Sequence, residues 1–290
     1  MKIIGFEADG GMRLGAVEHE RVIDLQAVEA RLPTDLGAVL TQTGGDLAPL
    51  ADLVRRAPAS THRPLEAITY ALPVNRPGKI LCLGLNYLEH AKEGGHQKPQ
   101  FPSIFLRCRS SLTPHEGPIV RPKVSETLDY EAELLVIIGK RGRHMSVRNA
   151  LSLVAGYACF NDGSVRQFQR RTTQWDMGKN FDATGGFGPW MVTTDELTDV
   201  TKQTLITRLN GVEVQKAPIS DLVFDVQALI AYCSTFTELA PGDVIVTGTT
   251  GGVGAYRTPP LWMKGGDTVE IEISGIGILR NPVKDERRAA

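Results

Sequence analysis

The sequence predicts an α+β protein that is mostly β, with a large rolled domain of mixed sheets behind a small N-terminal β/α domain. Three observations predict it. Short apolar, β-branched runs recur along the chain; the segments of helical periodicity between them are too few for the strand–helix alternation of a doubly wound sheet; and a polar, Pro-rich stretch from Pro73 to Pro77 reads as a linker. The boundary falls near residue 75, giving domains 1–75 and 76–290.

Taken in order, Lys2 to Phe6, Arg13 to Val17 and Val22 to Leu25 are short alternating runs broken by Asp9-Gly10-Gly11 and Glu18-His19-Glu20, the pattern of a β-meander. A helical pattern from about Leu47 to Arg56 stops at Ala57-Pro58. Lys79-Ile80-Leu81-Cys82-Leu83-Gly84 opens the second domain as a strand. Further strands are expected at Ser103 to Arg107, Glu133 to Gly139, Gly156 to Asn161, Pro189 to Thr193, Leu205 to Asn210, Asp243 to Gly248 and Thr268 to Ile273. Two helices stand among them, Val147 to Ala155 behind a Ser146 cap and Val226 to Phe236 behind an Asp225 cap. No internal repeat interrupts the pattern.

Composition bounds the function. With 290 residues, 42% hydrophobic and 22% charged, the chain can bury a large core. A formal net charge of -1 offers no footprint for nucleic acid or an anionic membrane. Basic residues are scattered, with a local cluster at Arg166, Arg170 and Arg171 and a short tail at Arg287-Arg288. No run approaches the roughly 18 apolar residues of a membrane helix, and Met1 to Phe6 turns polar too soon for a signal peptide. The expectation is a cytoplasmic protein without membrane or nucleic-acid partners. Cys82, Cys108, Cys159 and Cys233 lie far apart, without zinc-type pairing, and read as free buried thiols.

The chemistry concentrates at Asp129-Tyr130-Glu131-Ala132-Glu133, where two carboxylates open an apolar run. Residues two apart on a strand share a face, so Glu131 and Glu133 project side by side. Parallel carboxylates repel unless neutralised, and a hard divalent cation (magnesium, manganese or calcium) takes such oxygen ligands. Asp162, ending the apolar run Tyr157 to Asn161, supplies a third. The ordinary place for Glu and Asp is the surface, so the pattern gains weight only from its neighbours.

Those neighbours carry a resemblance. Glu131, Glu133 and Asp162 are preceded by Gly84-Leu85-Asn86-Tyr87 with His90-Ala91 and Glu93. They are followed by Gly178-Lys179-Asn180-Phe181-Asp182 and by Leu239, Pro241-Gly242-Asp243-Val244-Ile245 and Thr247-Gly248-Thr249. In this order, over about Lys79 to Val283, the motifs resemble the fumarylacetoacetate hydrolase family. The resemblance implies a β-roll catalytic domain, a divalent cation (Mg2+ or Mn2+, with Ca2+ possible) held by Glu131, Glu133 and Asp162, a homodimer, and a small 2-oxo acid substrate. It also implies that Arg166 and Gln169 line the site and that Thr249 offers its hydroxyl to the substrate carboxylate.

The residues support a role for each group. His90 and Glu93, three apart on a helix, share a face, and a carboxylate beside imidazole raises its basicity; Gly94-Gly95 then suits a lid. Lys179 is placed to bind a carboxylate or an enolate oxygen. Arg166 and Gln169 follow Asp162 at helical spacing, and a guanidinium suits a carboxylate by its fork. The Gly248-Thr249-Thr250-Gly251-Gly252-Val253-Gly254 loop is no dinucleotide fingerprint, because Thr258-Pro259-Pro260 cannot start the required helix.

The expected reaction is hydrolytic carbon–carbon cleavage of an acylpyruvate or other 2,4-dioxo acid, with His90 and Glu93 deprotonating water. The alternatives are isomerisation, tautomerisation or decarboxylation of a related 2-oxo acid and, from another class, a non-catalytic 2-oxo acid binding protein. Departures from the family pattern bear on the substrate. Thr250-Gly251 stands where Pro is common, which would leave the loop more mobile. Gly163-Ser164-Val165-Arg166-Gln167 lacks a usual carboxylate, and Arg107-Cys108-Arg109 replaces a usual Lys-Pro. With Arg170 and Arg171 nearby, these point to a substrate with a second anionic or hydroxyl-rich end.

Overall fold

The Ala132–Ile138 strand is buried along its whole length, and its alternation sorts two cores. Leu134, Val136 and Ile138 face one side, against Leu205, Ile271, Ile273 and Leu279. Leu135 and Ile137 face the other, against Ile3, Leu14, Leu36 and Leu40. A strand covered on both faces has no solvent side, which is why its sequence is a continuous apolar run rather than an alternating one.

The computed structural model describes residues 1–8 and 10–287; Asp9 of the first meander turn and Arg288 of the basic tail lie outside. The Ala132–Ile138 strand lies inside a large sheet, antiparallel to Val154–Asp162 on one side and Val244–Val246 on the other. Ile80–Gly84 and then Ser103–Leu106 extend that side. On the opposite side Gly185–Thr193 follows Val154–Asp162 and pairs with the first strand of the chain, Lys2 against Val192. A second sheet of five strands, ordered Val212–Pro218, Thr204–Leu209, Thr268–Ile273, Gly277–Asp285, Ile119–Arg121, packs over the first. This is the mixed, mostly β architecture the sequence predicts.

The meander forms as Lys2–Ala8, Gly11–Glu18 and Arg21–Asp24, and it continues the large sheet. The helix expected at Leu47 to Arg56 spans Ala48–Arg55. Another, Leu36–Thr43, lies just before it; its start is marked by Asp35, whose Oδ1 accepts from the Ala38 N–H, and its end by Gly44 in the left-handed region. Val226–Phe236 is as expected, with Asp225 accepting from the Ala228 N–H at 2.8 Å.

Val147 to Ala155 departs from expectation. Val147–Leu153 is a 3-10 helix, Ser146 makes no side-chain cap bond, and Val154 and Ala155 already belong to the following strand. Pairing of that strand on both edges outweighs a helical pattern that β-branched residues open and close. Among the cysteines, Cys82, Cys159 and Cys233 are free and buried, but Cys108 is exposed. No helix among the described residues is long and apolar enough to cross a membrane.

Candidate metal centre and active site

Strand pairing builds the centre. Ala132 is registered against Asn161 and Glu133 against Phe160, and the Asp162 N–H donates to the Glu131 carbonyl at 2.8 Å. The ends of two neighbouring strands therefore bring Glu131, Glu133 and Asp162 to one place. By strand parity Glu131 and Glu133 share a face with Leu135 and Ile137, and Asp162 with Ala158 and Phe160, all in the second core. The three residues each offer a carboxylate oxygen, these atoms lie within 4.8 Å of one another, and all three side chains are buried. Buried hard-oxygen donors in this number fit a divalent cation such as magnesium, manganese or calcium.

Three buried cations surround the acids. Lys179, on the short helix Asp176–Lys179, donates from Nζ to Glu131 at 2.7 Å and to Asp162 at 2.5 Å. Arg166 pairs with Glu131 through Nη1 at 2.6 Å and with Asp129 through Nε at 2.8 Å. Arg107 donates to the other oxygen of Asp162, to Ser111 and to Thr184.

These environments set the protonation states. Burial raises the Glu131 carboxyl, but Arg166 and Lys179 outweigh it and hold the group well below the usual carboxylate range. Glu133 goes the other way: burial and the charges of Asp162 and Glu131 push it well above that range, although Lys179 and the Gly248 N–H oppose. Burial alone would lower Lys179, yet Asp162 and Glu131 leave it raised and cationic.

His90 and Glu93 stand on the helix Leu88–Glu93, but they are not hydrogen-bonded to each other. His90 Nδ1 is 3.7 Å from the nearer Glu93 oxygen, and the other Glu93 oxygen accepts from the Gly252 N–H at 2.7 Å. Glu93 thus ties this helix to the glycine loop. The loop itself is well anchored, contrary to the freedom expected of Thr250-Gly251. Gly248 donates to Glu133, Gly254 and Ala255 donate to Asp129, and Thr249 and Thr250 are buried.

A cavity of 270 Å³ opens above the acids, lined by His90, Glu131, Glu133, Arg166, Gln169, Lys179 and Thr249. All of the expected site residues except Glu93 and Asp162 line it; Asp162 lies beneath Lys179 and Arg107. Gln169 accepts from Arg166 at 2.9 Å, but the helix Arg166–Gln169 is a single turn and the short strand Ser164–Val165 separates it from Asp162, so helical spacing does not relate Asp162 to the pair. His90 Nδ1 and Arg166 Nη2 are buried without a hydrogen-bond partner among the described residues. The two outer arginines separate: Arg170 lines the mouth and stacks over Tyr256, whereas Arg171 lies over Phe168 at 3.6 Å.

Two residues of the centre had no role in the sequence reading. Asp129 is fully buried and joins Arg166 to the glycine loop; its signal was present, since Asp129, Glu131 and Glu133 alternate. Arg107 stood out only as a departure from Lys, and nothing local announces its partner 55 residues away.

Comparison with known proteins agrees with this geometry. Residues 79–284 match the family described as fumarylacetoacetate (FAA) hydrolase, C-terminal. The human mitochondrial oxaloacetate tautomerase FAHD2A is 38% identical over 266 residues, 90% of this chain and 83% of the human protein. Maleylpyruvate hydrolase from Sphingobium sp. SYK-6, solved with manganese(II) and pyruvate, superposes with a TM-score of 0.82 at 28% identity, over 99% of this chain and all of that one. A 2-hydroxyhepta-2,4-diene-1,7-dioate isomerase from Mycobacterium marinum gives 0.78 at 27% identity, with the same coverage. The mitochondrial label of the human relative, shared by those of Bos taurus, overturns the cytoplasmic expectation. With the acidic triad, the ordered motifs and the shared fold in agreement, this chain belongs to the fumarylacetoacetate hydrolase family.

Proposed function

We propose that the protein interconverts the enol and keto forms of a small 2-oxo dicarboxylic acid of the oxaloacetate type, with magnesium or manganese at the triad. The observation that supports it best is the placement of cations at two depths of one cavity. Lys179 and Arg166 stand beside the triad, and Arg170 stands one helical turn beyond Arg166 at the mouth. That arrangement suits a molecule with an anionic group at each end. The choice of tautomerisation over the hydrolysis first expected follows the likeness to oxaloacetate tautomerase.

A divalent cation at the triad supplies Lewis-acid polarisation of the 2-oxo carbonyl. The protein's own groups do the rest. Arg166 receives the near carboxylate, with the Thr249 hydroxyl on the same cavity wall. Lys179 has three N–H donors and uses two on Glu131 and Asp162, which leaves one for the oxygen that becomes anionic. In the enol-to-keto direction the C2 hydroxyl loses its proton and C3 gains one; His90, which lines the cavity beside Glu131, is the group placed to move it.

Assays in 18O-labelled water separate the reactions. The proposal expects accelerated enol loss from oxaloacetate and no labelled carboxylate released from an acylpyruvate. Labelled acid from the acylpyruvate, with no acceleration for oxaloacetate, would refute it. Arg170→Ala should raise KM for oxaloacetate by about tenfold, the worth of one charge-assisted hydrogen bond, and Arg171→Ala should leave it unchanged.

A further inference from the structure

Gln215 lies outside every motif used above, on the second strand of the hairpin Thr204–Leu209 and Val212–Pro218. Its side chain is nevertheless buried against the centre, with all four of its bonds made. Oε1 accepts from the Ala132 N–H at 3.1 Å and from the Thr207 hydroxyl at 2.7 Å. Nε2 donates to the Thr250 carbonyl at 2.9 Å and to Thr249 Oγ at 3.0 Å.

The orientation of an amide is ordinarily a matter of assignment, since its oxygen and nitrogen look alike. Here two backbone groups fix it. The Ala132 N–H can only donate and the Thr250 carbonyl can only accept, so the atom facing Ala132 must be oxygen and the atom facing Thr250 must be nitrogen. It follows that Thr249 Oγ meets a donor and must accept. A hydroxyl has one proton to give, and the Thr249 hydroxyl donates to no group among the described residues, while Thr249 lines the cavity beside Arg166 and Lys179. Its proton is thereby reserved for an acceptor inside the cavity.

We infer that Gln215 is a positioning residue that makes Thr249 a hydrogen-bond donor toward the carboxylate of the bound substrate. The same amide grips Ala132, between Glu131 and Glu133, so one side chain sets the substrate loop and the ligand strand against each other. The inference rests on the cavity taking a 2-oxo acid, and holds for tautomerisation and hydrolysis alike.

The test is pyruvate binding by calorimetry in saturating Mg2+, with Mg2+ affinity and Tm measured on the same samples. Gln215→Glu keeps both acceptor contacts and removes the donors, so Thr249 can turn its proton toward residue 215 instead. Pyruvate should bind about tenfold more weakly in Gln215→Glu and in Thr249→Val, while the double variant binds no worse than Thr249→Val, and Mg2+ affinity stays within about twofold of wild type. Additive losses, or wild-type pyruvate binding by Gln215→Glu, would overturn the inference. Should Gln215→Glu not fold, the side-chain amide resonances of Gln215 in the 15N-labelled wild type decide. They must shift when pyruvate is added with Mg2+, and unmoved resonances with pyruvate bound overturn the inference. Failure of the wild type to bind pyruvate at all would overturn the 2-oxo acid reading of the cavity, and this inference with it.

Discussion

Glu133 shows at the residue scale how a buried acid prepares for a cation. Its neighbours Asp162 and Glu131 and its own burial favour the neutral form, whereas Glu131, beside Arg166 and Lys179, stays ionised. A cation must therefore displace the proton of Glu133, and affinity must weaken as pH falls through the raised pKa of that group. Calorimetry of Mn2+ binding in buffers of different ionisation enthalpy should show proton release on binding that grows as pH falls, and Glu133→Gln should abolish that release. The acids themselves were legible in the sequence because a period of two and a strand end are local facts. Arg107 was not, because a guanidinium is buried only where a distant carboxylate meets it, and Asp162 is remote in sequence.

Among the elements, the Gly248 to Gly254 loop joins the metal centre to the Leu88–Glu93 helix. Gly248 has φ +98°, and a Cβ there would stand 2.7 Å from the Asn86 Cβ, so the close approach that delivers its N–H to Glu133 requires glycine. Gly248→Ala should destabilise the fold by about 1–3 kcal/mol and weaken Mn2+ binding, read by thermal melts and calorimetry side by side. Loss of stability with metal affinity intact would separate the loop from the centre. The sequence suggested a mobile loop from the missing proline, but its order comes from Glu93, Asp129 and Tyr130, all more than 100 residues away. For the same reason the helix expected at Val147 to Ala155 gives way to the 3-10 helix Val147–Leu153: the strand that follows it is fixed by partners on both edges, which no local pattern reveals.

For the whole molecule, the mostly β fold was readable because strand-forming runs and turn residues dominate the chain, and the family likeness supplied the roll. The N-terminal meander is bonded into the same sheet as the centre, through Lys2 and Ile3 against Val192 and Met191, a pairing across some 190 residues that no segmental reading could supply. What the molecule holds together is one buried acidic triad under a cavity ringed by cations. The direct measurement is the rate of enol loss from freshly dissolved oxaloacetate, followed by its ultraviolet absorbance, with Mn2+ and after chelation, for wild type and Glu131→Ala. The account predicts rapid decay only for wild type with Mn2+, and decay at the uncatalysed rate in the other three conditions. Equal rates for wild type and Glu131→Ala, or catalysis untouched by chelation, would contradict it.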